Sequence, residues 1–239
     1  MTKLSVNVNK LATLRNARGH NNPDVIAWAK AIIQYGADGI TVHPRPDERH
    51  IRKTDVYALK NEVKTELNIE GYPTTDFCKM VLDVKPYQVT LVPDSPEQLT
   101  SNHGWDTLKN LAYLKTIVAP FKNAGIQVSL FLDPNPQLVE SAQQTGADCI
   151  ELYTEAYANT YPKNQNAAVE MYKKTAALAK KLGLKINAGH DLDLNNLGFL
   201  VSEIPYIDEV SIGHALVCDA LILGMETTVK NYLKLVKGK

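Results

Sequence analysis

The sequence predicts an α/β protein built as a (β/α)8 (TIM) barrel, and three observations predict it. Eight short apolar or β-branched runs are spread along the 239 residues, stretches with helical periodicity lie between them, and a glycine recurs just before several runs. Such alternation implies parallel strands joined by right-handed crossovers, in a closed barrel or an open doubly wound sheet. Eight units match the closed form, and no GxGxxG follows the first run, which weighs against a dinucleotide-binding sheet.

In order, the strands are "LSVNV" from Leu4, "GITVH" from Gly39, "NIEGY" from Asn68, "QVTLV" from Gln88, "QVSLFLD" from Gln127, "CIELYT" from Cys149, "LKINAGH" from Leu184 and "EVSIGH" from Glu209. Helical periodicity marks stretches such as Pro23 to Tyr35, Thr54 to Leu67, Trp105 to Ala124, Asn164 to Leu182 and Ala215 to Val236. The junctions "GADGI" at Gly36, "AGIQV" at Ala124, "GADCI" at Gly146 and "LGLKI" at Leu182 each supply a glycine suited to ending a helix before the next strand. Residues 1–239 are expected to form one barrel domain. Two connections exceed a few residues, Asp94 to Trp105 and Glu155 to Lys163; both follow strands, so they are expected to cover or wall the site as loops.

With 44% hydrophobic and 22% charged residues the chain has the composition of a globular protein with a real core. Its 26 basic and 26 acidic side chains cancel, so no overall field draws it to nucleic acid or an anionic membrane. No window reaches the ~20 apolar residues of a membrane span, the N-terminus lacks an apolar signal core, and a cytoplasmic protein is expected. Cys78, Cys149 and Cys218 lie in apolar contexts without C-x-x-C spacing, which predicts buried, reduced thiols.

A barrel of this kind collects its chemistry at the C-terminal ends of its strands. Those ends offer Asn7, Asn9 and Lys10, then His43 and Arg45, Glu70, Glu151, Asn187 and His190, and finally Gly213 and His214. A carboxylate inside the apolar run "NIEGYP" is costly unless paired or protonated, so Glu70 is either a tunable acid/base or half of an ion pair with Lys10 or Arg45. Glu151 in "CIELYT" poses the same choice, weighted toward electrostatic stabilisation. His43 and His190 suit proton transfer near neutral pH. With no H-x-H and no H-E-x-x-H, no metal site is expected. "SIGHA" opens the last helix with Gly213 and His214, a start that favours phosphate, and Arg18, Arg45 and His50 suggest a second anion site. Arg15, in "ATLRNARG", fits that anion site or a solvated surface or interface position equally well and is left unassigned, and Arg49 reads as solvated.

Together "VNVNKLATLRNARG", "DGITVHPRPDERHI", "QVSLF", "KINAGH" and "IGHA" resemble the pyridoxine 5′-phosphate synthase family over nearly the whole chain. The resemblance implies a (β/α)8 barrel, homo-oligomers that are octamers in the well-known members, and no cofactor. The implied reaction condenses 1-deoxy-D-xylulose 5-phosphate with 3-amino-2-oxopropyl phosphate to pyridoxine 5′-phosphate, phosphate and water. His43 and Glu70 would be proton acceptors, His190 the proton donor and Glu151 the transition-state stabiliser. Asn7, Asp191, Gly213 and His214 would hold the aminoketone phosphate, and Asn9, Lys10, Arg18, Arg45, His50 and Thr100 the deoxyxylulose phosphate. Asn9, Lys10 and Asp191 depart from the enterobacterial type, which has aspartate, histidine and glycine there. A carboxylate at Asp191 would repel phosphate unless it turns away or pairs with a cation. Two other readings fit the residues: a phosphosugar isomerase or aldolase using Lys10 as a Schiff-base amine, and a barrel that only binds phosphometabolites.

Overall fold

The computed structural model describes residues 1–94 and 101–238. Eight parallel strands close into a barrel in sequence order. They are β1 (Lys3–Asn7), β2 (Gly39–Val42), β3 (Glu66–Gly71), β4 (Gln88–Leu91), β5 (Gln127–Leu132), β6 (Cys149–Tyr153), β7 (Lys185–Gly189) and β8 (Glu209–Ile212). Helices in the first half are α1 (Asn9–Asn16), α2 (Val25–Gln34), α3 (Lys53–Glu62), α4 (Thr75–Val84) and α5 (Leu111–Asn123). The second half adds α6 (Val139–Gln144), α7 (Glu155–Thr160), α8 (Gln165–Lys181), α9 (Leu197–Glu203), α10 (His214–Leu223) and α11 (Met225–Lys237). Among these none is long and apolar enough to cross a membrane.

The pleat decides where the core lies. Strand register aligns outward-facing apolar residues around the barrel: Leu4 opposite Val210, Val6 opposite Ile40, Ile40 opposite Leu67, Val89 opposite Val128, and Ile150 opposite Ile186. All are buried beneath the helices, each contributing roughly 1.5–3 kcal/mol by leaving water. The inward-facing residues are mostly polar. Ser5 and Thr41 hydroxyls meet at 2.7 Å, and the Gln88 side-chain carbonyl accepts from Gln127 at 2.7 Å and from Asn187 at 3.1 Å. The apolar core is therefore the shell between barrel and helices, while the lumen is lined largely by polar side chains that hydrogen-bond one another across the strands.

All eight expected strands are present, and the junction glycines Gly36, Gly125, Gly146 and Gly183 have the positive φ expected at helix ends. Helix starts are capped where the sequence offers short polar residues: Asp24 accepts from the Ile26 and Ala27 amides, Thr74 from Phe77, and Asn164 from Ala167.

Several boundaries differ from expectation. The helix from Thr54 stops at Glu62 because Val63 is extended and Leu67 is used in β3, opposite Ile40. Ala215 to Val236 is two helices, broken at Gly224 with φ 79° and ψ 148°. Trp105 does not start α5; it is buried, and its indole N–H donates to the Leu91 carbonyl at 2.9 Å. The Glu155 to Lys163 connection is not a loop but α7, anchored by buried Tyr157, whose hydroxyl donates to the Asn196 carbonyl at 2.6 Å. Of the cysteines only Cys149 is buried, with Cys78 half-buried and Cys218 exposed on α10. Apolar neighbours misled there, because α10 is apolar around its circumference yet buries only Leu216.

Candidate active site

At the C-terminal ends of the strands a cavity of about 860 Å³ opens. Its wall brings together Asn7, Asn9, Lys10, His43, Arg45, His50, Glu70, Glu151, His190, Asp191, Gly213 and His214. Arg18 lies in an exposed turn after α1 and does not line the cavity. Thr100 lies outside the described residues.

Local sequence fixes each group. Asn7 ends β1, and its side-chain carbonyl accepts from the Asn9 amide at 3.0 Å; Asn9 in turn accepts from the His43 amide at 3.0 Å. Asn9 and Lys10 thus open α1 instead of extending the strand, and Asn9 holds the end of β2. His43 leaves β2 buried, its Nδ1 3.8 Å from the Glu70 Oε2 of β3. Glu151, on β6, accepts from the Thr90 hydroxyl at 3.2 Å. The space its carboxylate occupies exists because residue 189 is glycine: a Cβ there would lie 2.5 Å from Glu151 Oε1. His190 and Asp191 follow β7, Nδ1 to Oδ2 at 2.8 Å, and Gly213 and His214 open α10.

Arg45 is buried and pairs with Asp94 at 2.7 Å, and the Ser101 hydroxyl donates to the same carboxylate oxygen at 2.6 Å. The ion pair considered between Glu70 and Arg45 or Lys10 does not form; Asp94 is the partner. Arg15 is no surface residue. At 2% exposure it forks onto Asp55 at 2.7 and 2.8 Å and donates to the His50 carbonyl at 3.1 Å, so it anchors the segment carrying His50. Arg49 is not left in solvent either; it pairs with Asp47 and lines the cavity.

Sequence reasoning missed Asp94, Ser101 and Glu155. Glu155 lines the cavity and accepts from the Tyr153 hydroxyl. The only signal for Asp94 was its place just past β4, at the same rim as the other strand-end residues.

Burial and charge set the protonation states. Desolvation, then the charges of Arg45, His50 and Arg49, push His43 well below the ordinary histidine range, so it is neutral. Desolvation first, then Glu151 and Asp94, push Glu70 well above the carboxylate range against the pull of Arg45. Glu151 is raised by burial to about 7, opposed by the Thr90 hydrogen bond and His190. Burial and neighbouring cations lower His50 to about 4. A neutral base facing a protonated acid can move protons in both directions without placing net charge in the cavity.

Fold and site together define a (β/α)8-barrel enzyme of the acid/base type. The family model described as "Pyridoxal phosphate biosynthesis protein PdxJ" matches residues 4–238, and the chain belongs to that family. It is 58% identical over 232 residues to a pyridoxine 5′-phosphate synthase of Bacteroides thetaiotaomicron, covering 97% of this chain and 98% of that one. It is 56% identical over 237 residues to the protein of the same name from Cytophaga hutchinsonii, covering 99% and 100%. Among solved structures, a 3-keto-L-gulonate-6-phosphate decarboxylase from Vibrio cholerae superposes with a TM-score of 0.69 over 99% of this chain and 98% of that one. At 11% identity that likeness concerns the fold alone.

Proposed function

We propose that the chain is a pyridoxine 5′-phosphate synthase, condensing 1-deoxy-D-xylulose 5-phosphate with 3-amino-2-oxopropyl phosphate to pyridoxine 5′-phosphate, phosphate and water. The observation that carries the assignment of roles is the convergence of His43, Glu70, Glu151 and His190 on one cavity whose rim also holds Arg45, His50 and the start of α10. Imine formation, phosphate loss, ring closure and dehydration each need protons moved, and binding alone needs no such set of titratable groups.

Neutral His43 takes the first proton. Glu70 carries its own proton in the resting site, so it serves as acceptor only after giving that proton to a basic atom of the bound substrate. Glu151, raised to about 7 by burial, stabilises in its ionised form the positive charge developing on the imine nitrogen. His190 returns a proton to the departing oxygen. The amides at the start of α10, with His214, hold one phosphate by the helix dipole. Arg45, His50, Lys10 and Asn9 hold the other; the family pattern adds Thr100 and Arg18, the latter from the exposed turn after α1 outside the cavity wall. Fixing both substrates by their phosphates turns a bimolecular condensation into a positioned one.

The chain acts as one domain over residues 1–239 and as a homo-oligomer. Leu221, Ile222 and Leu223, exposed at 79%, 86% and 43% at the end of α10, support association, since an apolar cluster of this kind gains by leaving water. The catalytic reading is tested by incubating purified protein with both phosphorylated substrates and assaying pyridoxine 5′-phosphate and phosphate. Sedimentation tests the assembly: a monomer at micromolar concentration would contradict it.

A further inference from the structure

We propose that Asp191 is a positioning residue for His190, holding the imidazole with a proton on Nδ1 and stabilising the imidazolium that forms when Nε2 takes up a proton, the proton His190 then returns to the departing oxygen. The proposal rests on the synthase reading for its catalytic consequence, and on geometry for the dyad itself. Asp191 Oδ2 lies 2.8 Å from His190 Nδ1. That hydrogen bond also draws the Asp191 carboxyl below its usual range, so it is ionised near neutrality. An ionised carboxylate only accepts, so the ring must be the donor, and this fixes the tautomer.

The backbone is built to hold this pair. His190 and Asp191 have φ of 83° and 56°, two successive non-glycine residues in the left-handed region. Such conformations cost roughly 1–3 kcal/mol each and persist only where the surroundings impose them. Here the buried Thr154 hydroxyl hydrogen-bonds the carbonyls of Gly189, at 2.8 Å, and His190, while the buried Asn196 amide donates to the Asp191 carbonyl at 3.1 Å. The Tyr153 ring meets the imidazole edge-on, with centroids 5.0 Å apart at 82°. Together these contacts fix the ring between a carboxylate and an aromatic face.

The dyad also resolves the charge conflict at this corner. An aspartate near the phosphate end of α10 would repel its ligand, but hydrogen-bonded to His190, and drawn also by the charge of His214, it is committed to the imidazole. Asp191 therefore acts on catalysis through His190 and contributes little to phosphate affinity.

Two variants test this. Asp191→Asn keeps the shape but loses the obligate acceptor, and Asp191→Gly tolerates the positive φ, so misfolding cannot explain a shared result. In 15N-histidine spectra, with His190 assigned by its loss in His190→Gln, the wild-type ring is expected as the Nδ1–H tautomer and both variants as mixtures. Turnover in both should fall roughly tenfold in kcat, with KM for either substrate within about twofold. An unchanged His190 tautomer in both variants overturns the dyad. A loss confined to KM for the aminoketone phosphate overturns the positioning role and returns Asp191 to the binding site. Absence of any pyridoxine 5′-phosphate from wild-type protein would sink the synthase reading instead, and the spectra would still decide the dyad.

Discussion

His43 Nδ1 and Glu70 Oε2 face each other at 3.8 Å in a largely enclosed corner of the cavity, and burial drives both toward their neutral forms. A neutral imidazole beside a neutral carboxyl is one proton transfer away from an ion pair. The site can therefore accept a substrate proton without first breaking a salt bridge, which a charged pair at this depth would require.

Glu70→Gln should retain the fold, because the amide replaces a carboxyl that already carries its proton, and should lose activity by roughly 10²–10⁴-fold, the usual worth of a positioned acid/base. Circular dichroism and steady-state kinetics check both halves. A variant with near-normal kcat would remove Glu70 from the chemistry.

Gly189→Ala tests the seat of Glu151. The added methyl would sit 2.5 Å from Glu151 Oε1 and displace the carboxylate, so kcat is expected to fall roughly 10- to 100-fold with the fold retained. Normal kinetics in this variant would mean that Glu151 has no fixed role.

Arg15→Met should destabilise the fold by roughly 3–5 kcal/mol, because Asp55 would be left charged beneath the segment carrying His50. Urea unfolding measures this. A change under about 1 kcal/mol would mean that Arg15 is as dispensable as a solvated surface residue.

Glu209 gives stability a pH dependence. Burial in the barrel lumen raises its carboxyl to about 8. The folded state holds this proton after the unfolded chain has released it, so the contribution is fully present below the ordinary glutamate range and is lost as pH rises to about 8. Glu209→Gln should match wild type near pH 4 and exceed it by on the order of a few kcal/mol above pH 8. Equal unfolding free energies at both ends would contradict this. Glu151, raised for the same reason, adds to the slope in the same direction up to about pH 7.

Much of this was legible in the sequence because a barrel writes its site at strand ends. His43, Glu70, Glu151 and His190 each stand out as a polar residue closing or interrupting an apolar run, and the fold places them around one cavity. What was not legible depends on contacts between distant segments. Asp94 reaches Arg45 across 49 residues, and Asp55 reaches Arg15 across 40, so neither arginine could be assigned from its neighbours. The polar lumen was hidden because Ser5, Thr41, Gln88 and Thr90 read as ordinary alternating strand residues until closure points them at one another. Helix α1 escaped notice because its eight residues bury only Leu11, Ala12 and Arg15.

The most direct measurement is product formation by the wild-type protein given 1-deoxy-D-xylulose 5-phosphate and 3-amino-2-oxopropyl phosphate, with no added metal or nucleotide. The expected result is pyridoxine 5′-phosphate and inorganic phosphate in equal amounts, abolished in the His43→Ala, Glu70→Gln double variant. No product from folded wild-type protein, or equal turnover by the double variant, would contradict the account.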